Sequence, residues 1–128
     1  GVHLGQEDIA MMPVSAARAR LGPGKLVGLS THSLAQAKAA EPQQPDYIGI
    51  GPVFPTGTKP GRAPVGLATL RAVTSAVRLP AFAIGGITLA NLPSVIRHGA
   101  RRVAVVSAIL RAPDVASAAR AFTEALNP

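Results

Sequence analysis

The feature that most constrains this chain is a unit that recurs five times. A short apolar run is followed by a loop rich in Gly and polar residues, then by an Ala-rich helical stretch. The apolar runs lie at 2–4, 26–29, 47–50, 81–84 and 103–106, and the helical stretches at 14–21, 33–40, 67–77, 89–98 and 113–126. The runs are continuously apolar, which is the pattern of parallel strands covered on both faces. Strand and helix in alternation build parallel βαβ units. Gly22-Pro23-Gly24 ends the first helix, Ser33 is a candidate N-cap for the second, and Gly99 stands just past the end of the fourth. Leu67, Leu70, Val73, Thr74 and Val77 fall on one stripe of the third helix, and Val115, Ala119, Phe122 and Leu126 on one side of the last.

Two α/β architectures compete for such a chain, an open doubly wound sheet and a closed barrel. The dinucleotide fingerprint is weak, because Gly49-Ile50-Gly51 follows a strand but Phe54 stands where a third Gly is needed. Polar and Gly-rich residues gather instead after every apolar run. In a barrel all of those ends meet on one face, where the active site lies. The expected fold is therefore a (β/α)8 TIM barrel. A complete one takes about 200 residues or more, so these 128 residues read as an incomplete barrel, in one domain with no linker or low-complexity segment. The chain has no starting Met and begins in a strand-like run, so it reads as cut from something longer.

The composition narrows the ligand. Hydrophobic residues make up 48% and charged residues 15%, a globular balance. The net charge is +7, which suits an anionic partner. Only Arg101 and Arg102 are adjacent among the basic residues, and aromatics are 3%, so bases would find little to stack on. Small phosphorylated molecules are expected, and nucleic acid is not. No cysteine is present, which excludes disulfides, thiolate metal sites and cysteine nucleophiles and fits a reducing cytoplasm. There is no run of about 18 apolar residues, so no membrane span is expected. Residues 1–8 lack the basic and apolar regions of a signal peptide.

Four strand-end loops carry the candidate chemistry. Gly5-Gln6-Glu7-Asp8 places adjacent carboxylates where Mg²⁺ could be held, although one such pair also suits a helix N-cap or a solvated loop. Residues 52–61 hold Thr56, Gly57, Thr58 and Lys59, two hydroxyls, a Gly and a cation that together suit a phosphate or diphosphate. The same composition also suits an ordinary Pro/Gly turn. Gly85-Gly86 leaves backbone N–H groups open to an anion. Val106 and Ser107 end the fifth run. The last two loops stand where these barrels often bind phosphate. His3, His32 and His98 have no metal-ligand spacing and are expected to be structural.

These segments, together with Gly28-Leu29-Ser30-Thr31-His32-Ser33 and residues 46–59, resemble thiamine phosphate synthase over essentially the whole chain and in that family's order. The resemblance implies a Mg²⁺-dependent transferase that condenses hydroxymethylpyrimidine diphosphate with thiazole phosphate to give thiamine phosphate and diphosphate. It implies that Asp8 ligates Mg²⁺, and that Ser30 and Lys59 bind the pyrimidine diphosphate and act in catalysis. Thr56, Gly57, Thr58, Gly86, Val106 and Ser107 would bind the thiazole phosphate. The five strands would be the fourth to eighth of the barrel. The family's Asn-Asp pair and its earlier Gln/Arg/Lys segment have no counterpart here, which implies that this chain alone is inactive and associates with the N-terminal part of the barrel or with a second copy. Two alternatives remain: a thiazole tautomerase-like barrel, and an inactive half-barrel that binds phosphate.

Overall fold

A computed structural model describes residues 1–58 and 61–127. Its strands are β1 (Val2–Leu4), β2 (Val27–Thr31), β3 (Tyr47–Ile50), β4 (Ala81–Ile84) and β5 (Val103–Ala104). Its helices are α1 (Val14–Leu21), α2 (Leu34–Ala40), α3 (Gly66–Ala76), α4 (Leu92–Arg97), α5 (Ser107–Leu110) and α6 (Val115–Leu126), with a 3-10 turn at Glu41–Gln43. The strands form one sheet in the order β1-β2-β3-β4-β5, and every pairing is parallel.

That order decides between the two architectures. A doubly wound sheet reverses its strand order at a switch point, and this sheet never does. Right-handed crossovers between consecutive parallel strands put every connecting helix on the same side. Accordingly α2 packs on α3, α3 on α4 and α4 on α6 in a single outer layer. The result is α/β, five βα units wound as in a TIM barrel.

The register separates the two faces of the sheet. Leu4 pairs with Leu29, Leu29 with Ile48 and Ile50 with Ala83, and all of these are buried in the core under the helices. Residues in between point the other way. His3 pairs with Gly28, Ser30 with Gly49 and Gly49 with Phe82. Within these residues the helix side of the sheet is covered. On the other side Ile84 and Val106 remain 40% and 45% exposed among the described residues.

Local chemistry sets the helix ends. Ser33 caps α2 by accepting from the Gln36 backbone N–H at 3.1 Å. Asp114 caps α6, accepting from the Ser117 N–H at 2.9 Å and from the Ser117 hydroxyl at 2.7 Å, and these bonds hold its carboxyl below the usual value. That cap starts α6 at Val115, two residues later than the sequence reading places it. The fourth helix is also shorter than the stretch 89–98 and starts at Leu92. The Thr88 N–H donates to Asn91 Oδ1 at 2.9 Å, and Asn91 Nδ2 donates to the Gly86 carbonyl at 2.9 Å. Such side-chain bonds offer the backbone an alternative to helix. Gly99 follows α4 with φ +89°, a left-handed conformation suited to Gly. At the N-terminal end of the sheet, the Asp46 carboxylate accepts from the Val27 N–H at 2.6 Å and from the Arg18 guanidinium at 3.1 Å. It ties β2, β3 and α1 together there.

Candidate functional site

The C-terminal ends of the five strands open onto one cavity of about 530 Å³ on the concave, helix-free face. Every strand or its following loop contributes to the lining. Gly5 and Glu7 come after β1, Ser30 and His32 from β2 and its loop, Thr56, Thr58 and Arg62 after β3, Gly86 after β4, and Val106 and Ser107 after β5.

The loops are held by backbone contacts between them. The Val53 N–H donates to the Ile84 carbonyl at 2.8 Å, and the Phe54 N–H to the Gly85 carbonyl at 3.1 Å. Gly85 and Gly86 adopt φ +97° and +64°. A Cβ on Gly86 would come within 2.6 Å of the Pro55 carbonyl oxygen and 2.7 Å of Phe54 Cβ. These glycines therefore let the loop after β4 lie against the loop after β3. Thr56 Oγ1 accepts from the Thr58 N–H at 3.2 Å, which turns the chain where both threonines line the cavity. The apolar run 103–106 does not stay extended to its end. The strand stops at Ala104, Val106 turns at φ −114°, ψ −77°, and Ser107 opens α5, a helix the sequence reading does not contain.

Of the residues singled out from sequence, Ser30, Thr56, Thr58, Gly86, Val106 and Ser107 all line the cavity. Gly57 sits exposed between the two threonines. Lys59 lies outside the described residues. Asp8 follows the same strand end but folds back, with Oδ2 accepting from the Gly5 N–H at 2.7 Å. Glu7 faces the cavity and forms an ion pair at 3.9 Å with Arg62, a residue the sequence reading did not single out. Among the described residues no three His, Cys, Asp or Glu side chains gather to cage a metal. Asp8 and its neighbour Glu7 are a donor set that suits Mg²⁺ where waters and substrate phosphates complete the shell.

The histidines divide. His98 ends α4 with Nδ1 2.7 Å from the Ser94 carbonyl oxygen, a structural role. His3 and His32 turn into the cavity instead. His32 Nδ1 lies 2.6 Å from the Gly51 carbonyl oxygen, and His3 Nε2 lies 2.8 Å from Ser30 Oγ. The signal for His3 is in the strand period. Leu4 belongs to the core, so its neighbour must face the other way.

Residues 1–109 match the family of thiamine monophosphate synthase. The chain belongs to that family. Among its relatives, the thiamine-phosphate synthase of Synechococcus sp. (strain WH7803) is 53% identical over 99% of this chain and 35% of its own length. That of Chloroflexus aurantiacus is 50% identical over 94% of this chain and 54% of its own. The solved thiamine phosphate pyrophosphorylase of Pyrococcus furiosus superposes with a TM-score of 0.84 at 37% identity, covering 98% of this chain and 58% of that one. The chain thus spans about a third to a half of the length of these thiamine-phosphate synthases. No helix among the described residues is long and apolar enough to cross a membrane.

Proposed function

We propose that the protein carrying this chain is a cytoplasmic transferase that joins hydroxymethylpyrimidine diphosphate to thiazole phosphate, giving thiamine phosphate and diphosphate. The observation that carries this reading is the convergence of Ser30, Thr56, Thr58, Gly86, Val106 and Ser107 on one cavity in a chain of this family. The Thr56 and Thr58 hydroxyls, with the loops at Gly86 and Ser107, would hold the thiazole phosphate. Ser30 and Lys59 would hold the pyrimidine diphosphate.

The C–O bond to diphosphate breaks with its electron pair on the leaving group, and the thiazole nitrogen then forms the new C–N bond to the pyrimidine methylene. Hydroxyl donors and the Lys59 charge would stabilise the negative charge that develops on the leaving group as that bond breaks. Asp8, with Glu7 beside it, would hold Mg²⁺, which when bound adds positive charge on the diphosphate.

The test is to supply both substrates and Mg²⁺ to the protein as the cell makes it and to follow thiamine phosphate and diphosphate together. Equimolar appearance of the two is the expected result. Isomerisation of the thiazole without any diphosphate release would replace this reading by a tautomerase. Lys59→Ala should slow turnover by about 10²–10³ while leaving the fold intact, the scale of losing one donor to a developing anion. Unchanged turnover would remove Lys59 from the chemistry.

A further inference from the structure

The polar groups on the cavity floor are joined into one network that crosses three strands. His3 on β1 stands between Ser30 on β2 and Tyr47 on β3. Its Nε2 lies 2.8 Å from Ser30 Oγ, and its Nδ1 lies 3.1 Å from the Tyr47 hydroxyl. The imidazole and phenol rings tilt against each other at 5.4 Å between centroids. Tyr47 in turn packs edge-on to Phe82 at 5.3 Å.

The sheet beneath has been cleared for these rings. A Cβ on Gly28 would run into both the Tyr47 phenol and the His3 imidazole, and one on Gly49 would stand 3.7 Å from His3 Cε1. None of the three polar residues belongs to the buried core, which lies on the opposite face. The network is thus a built feature of the concave face.

The direction of its hydrogen bonds depends on which imidazole nitrogen carries the hydrogen. A neutral imidazole has one N–H and one acceptor nitrogen, whereas Ser and Tyr hydroxyls can both give and take. When Tyr47 donates to Nδ1, the imidazole hydrogen is on Nε2 and is donated to Ser30 Oγ. The Ser30 hydroxyl hydrogen is then left for the cavity. In the other tautomer Ser30 would spend that hydrogen on Nε2, so a bound phosphate oxygen, which only accepts, favours the first arrangement. We infer that His3, set by Tyr47, is a positioning residue that fixes Ser30 as a hydrogen-bond donor to a bound diphosphate group. This rests on the reading of Ser30 as a diphosphate contact given above.

The test uses the protein as the cell makes it, with inorganic diphosphate as the binding probe and thiamine phosphate formation as the activity. Wild type, His3→Phe, Ser30→Ala, the double variant and His3→Gln are compared, each checked for a native circular dichroism spectrum. His3→Phe and Ser30→Ala should each weaken diphosphate binding and lower kcat/KM for the pyrimidine substrate by about 10- to 100-fold. The double variant should fall no further than the worse single one, since partners in one network are not additive. His3→Gln, whose amide can still donate to Ser30, should recover part of the loss. The KM for thiazole phosphate should hold throughout.

Losses that multiply in the double variant would overturn the inference. So would diphosphate that binds all forms alike or binds none. A wild type that binds diphosphate with the non-additive pattern yet makes no thiamine phosphate would sink the proposed reaction and leave the role of His3 standing.

Discussion

The two faces of the sheet carry different residues at alternate positions of the same strands. On the helix side, Leu29, Ile48 and Ile50 are fully buried, and hydrophobic burial there holds five strands and their helices together. On the concave side stand His3, Ser30, Tyr47 and Phe82, with Gly28 and Gly49 between them, and these line the cavity or lie beneath its floor. Neighbouring residues on one strand therefore answer to different demands. Ile48 is chosen for volume and apolarity, and Tyr47 for a ring and a hydroxyl.

Substitutions one residue apart would break that division most sharply. Ile48→Ala should cost about 2–5 kcal/mol, the scale of deleting a buried aliphatic side chain, while the surviving folded protein keeps its KM values. Tyr47→Phe removes one hydroxyl and should cost no more than about 1.5 kcal/mol, with the larger change in diphosphate affinity. Urea denaturation with a parallel binding titration measures both. A Tyr47→Phe variant as destabilised as Ile48→Ala would show that the concave face is part of the structural core after all.

Glycine gives a finer version of the same contrast. Gly28→Ala adds a methyl that must push the Tyr47 and His3 rings aside. Overpacking of this kind costs about 1–3 kcal/mol, and diphosphate affinity should fall with it because the network to Ser30 is displaced. A Cβ on Gly57 would meet nothing within 4 Å, and the backbone there has no left-handed φ, so Gly57→Ala should leave stability within about 0.5 kcal/mol. Equal melting temperatures for the two variants would contradict the view that β2 was cleared for the rings above it.

Much of the fold was legible because it depends on patterns a strand or helix cannot hide. The runs at Val2–Leu4, Tyr47–Ile50 and Ala81–Ile84 and the helix Val14–Leu21 stand where apolar runs and the Gly22 stop place them. The end of the fifth run was not legible, because Val105 and Val106 are as apolar as a strand and the turn at Val106 leaves no mark in composition. The polar strand-end loops pointed to the cavity. What they could not reveal was His3 and Arg62. Arg62 reaches Glu7 through a loop whose path no local pattern sets. His3 lies inside a run that reads as covered on both faces, and only the helix-free side of the sheet gives it a role.

The smallest expected effect lies at the opposite end of the strands, where Asp46 joins Val27 and Arg18. In such barrels the N-terminal end of the strands serves stability and the C-terminal end serves chemistry. The Val27 N–H is the main cause that holds the Asp46 carboxyl below its ordinary value of 3.8, with the Arg18 guanidinium adding to it. A carboxyl with a lowered value in the folded state binds its proton more readily when unfolded. Its contribution to stability is therefore complete above the ordinary value and is lost as the pH falls through the lowered one. Asp46→Asn keeps an oxygen for the Val27 N–H but gives up the charge. Its urea midpoint should lie modestly below wild type at pH 7, since the ion pair is partly open to solvent. The gap should close as the pH falls below 3.8, because wild type then loses the same charge. Diphosphate affinity at pH 7 should not change between the two. A gap that persists in acid would assign the effect of Asp46 to shape and not to charge, and a loss of affinity would show that the two ends of the sheet are coupled.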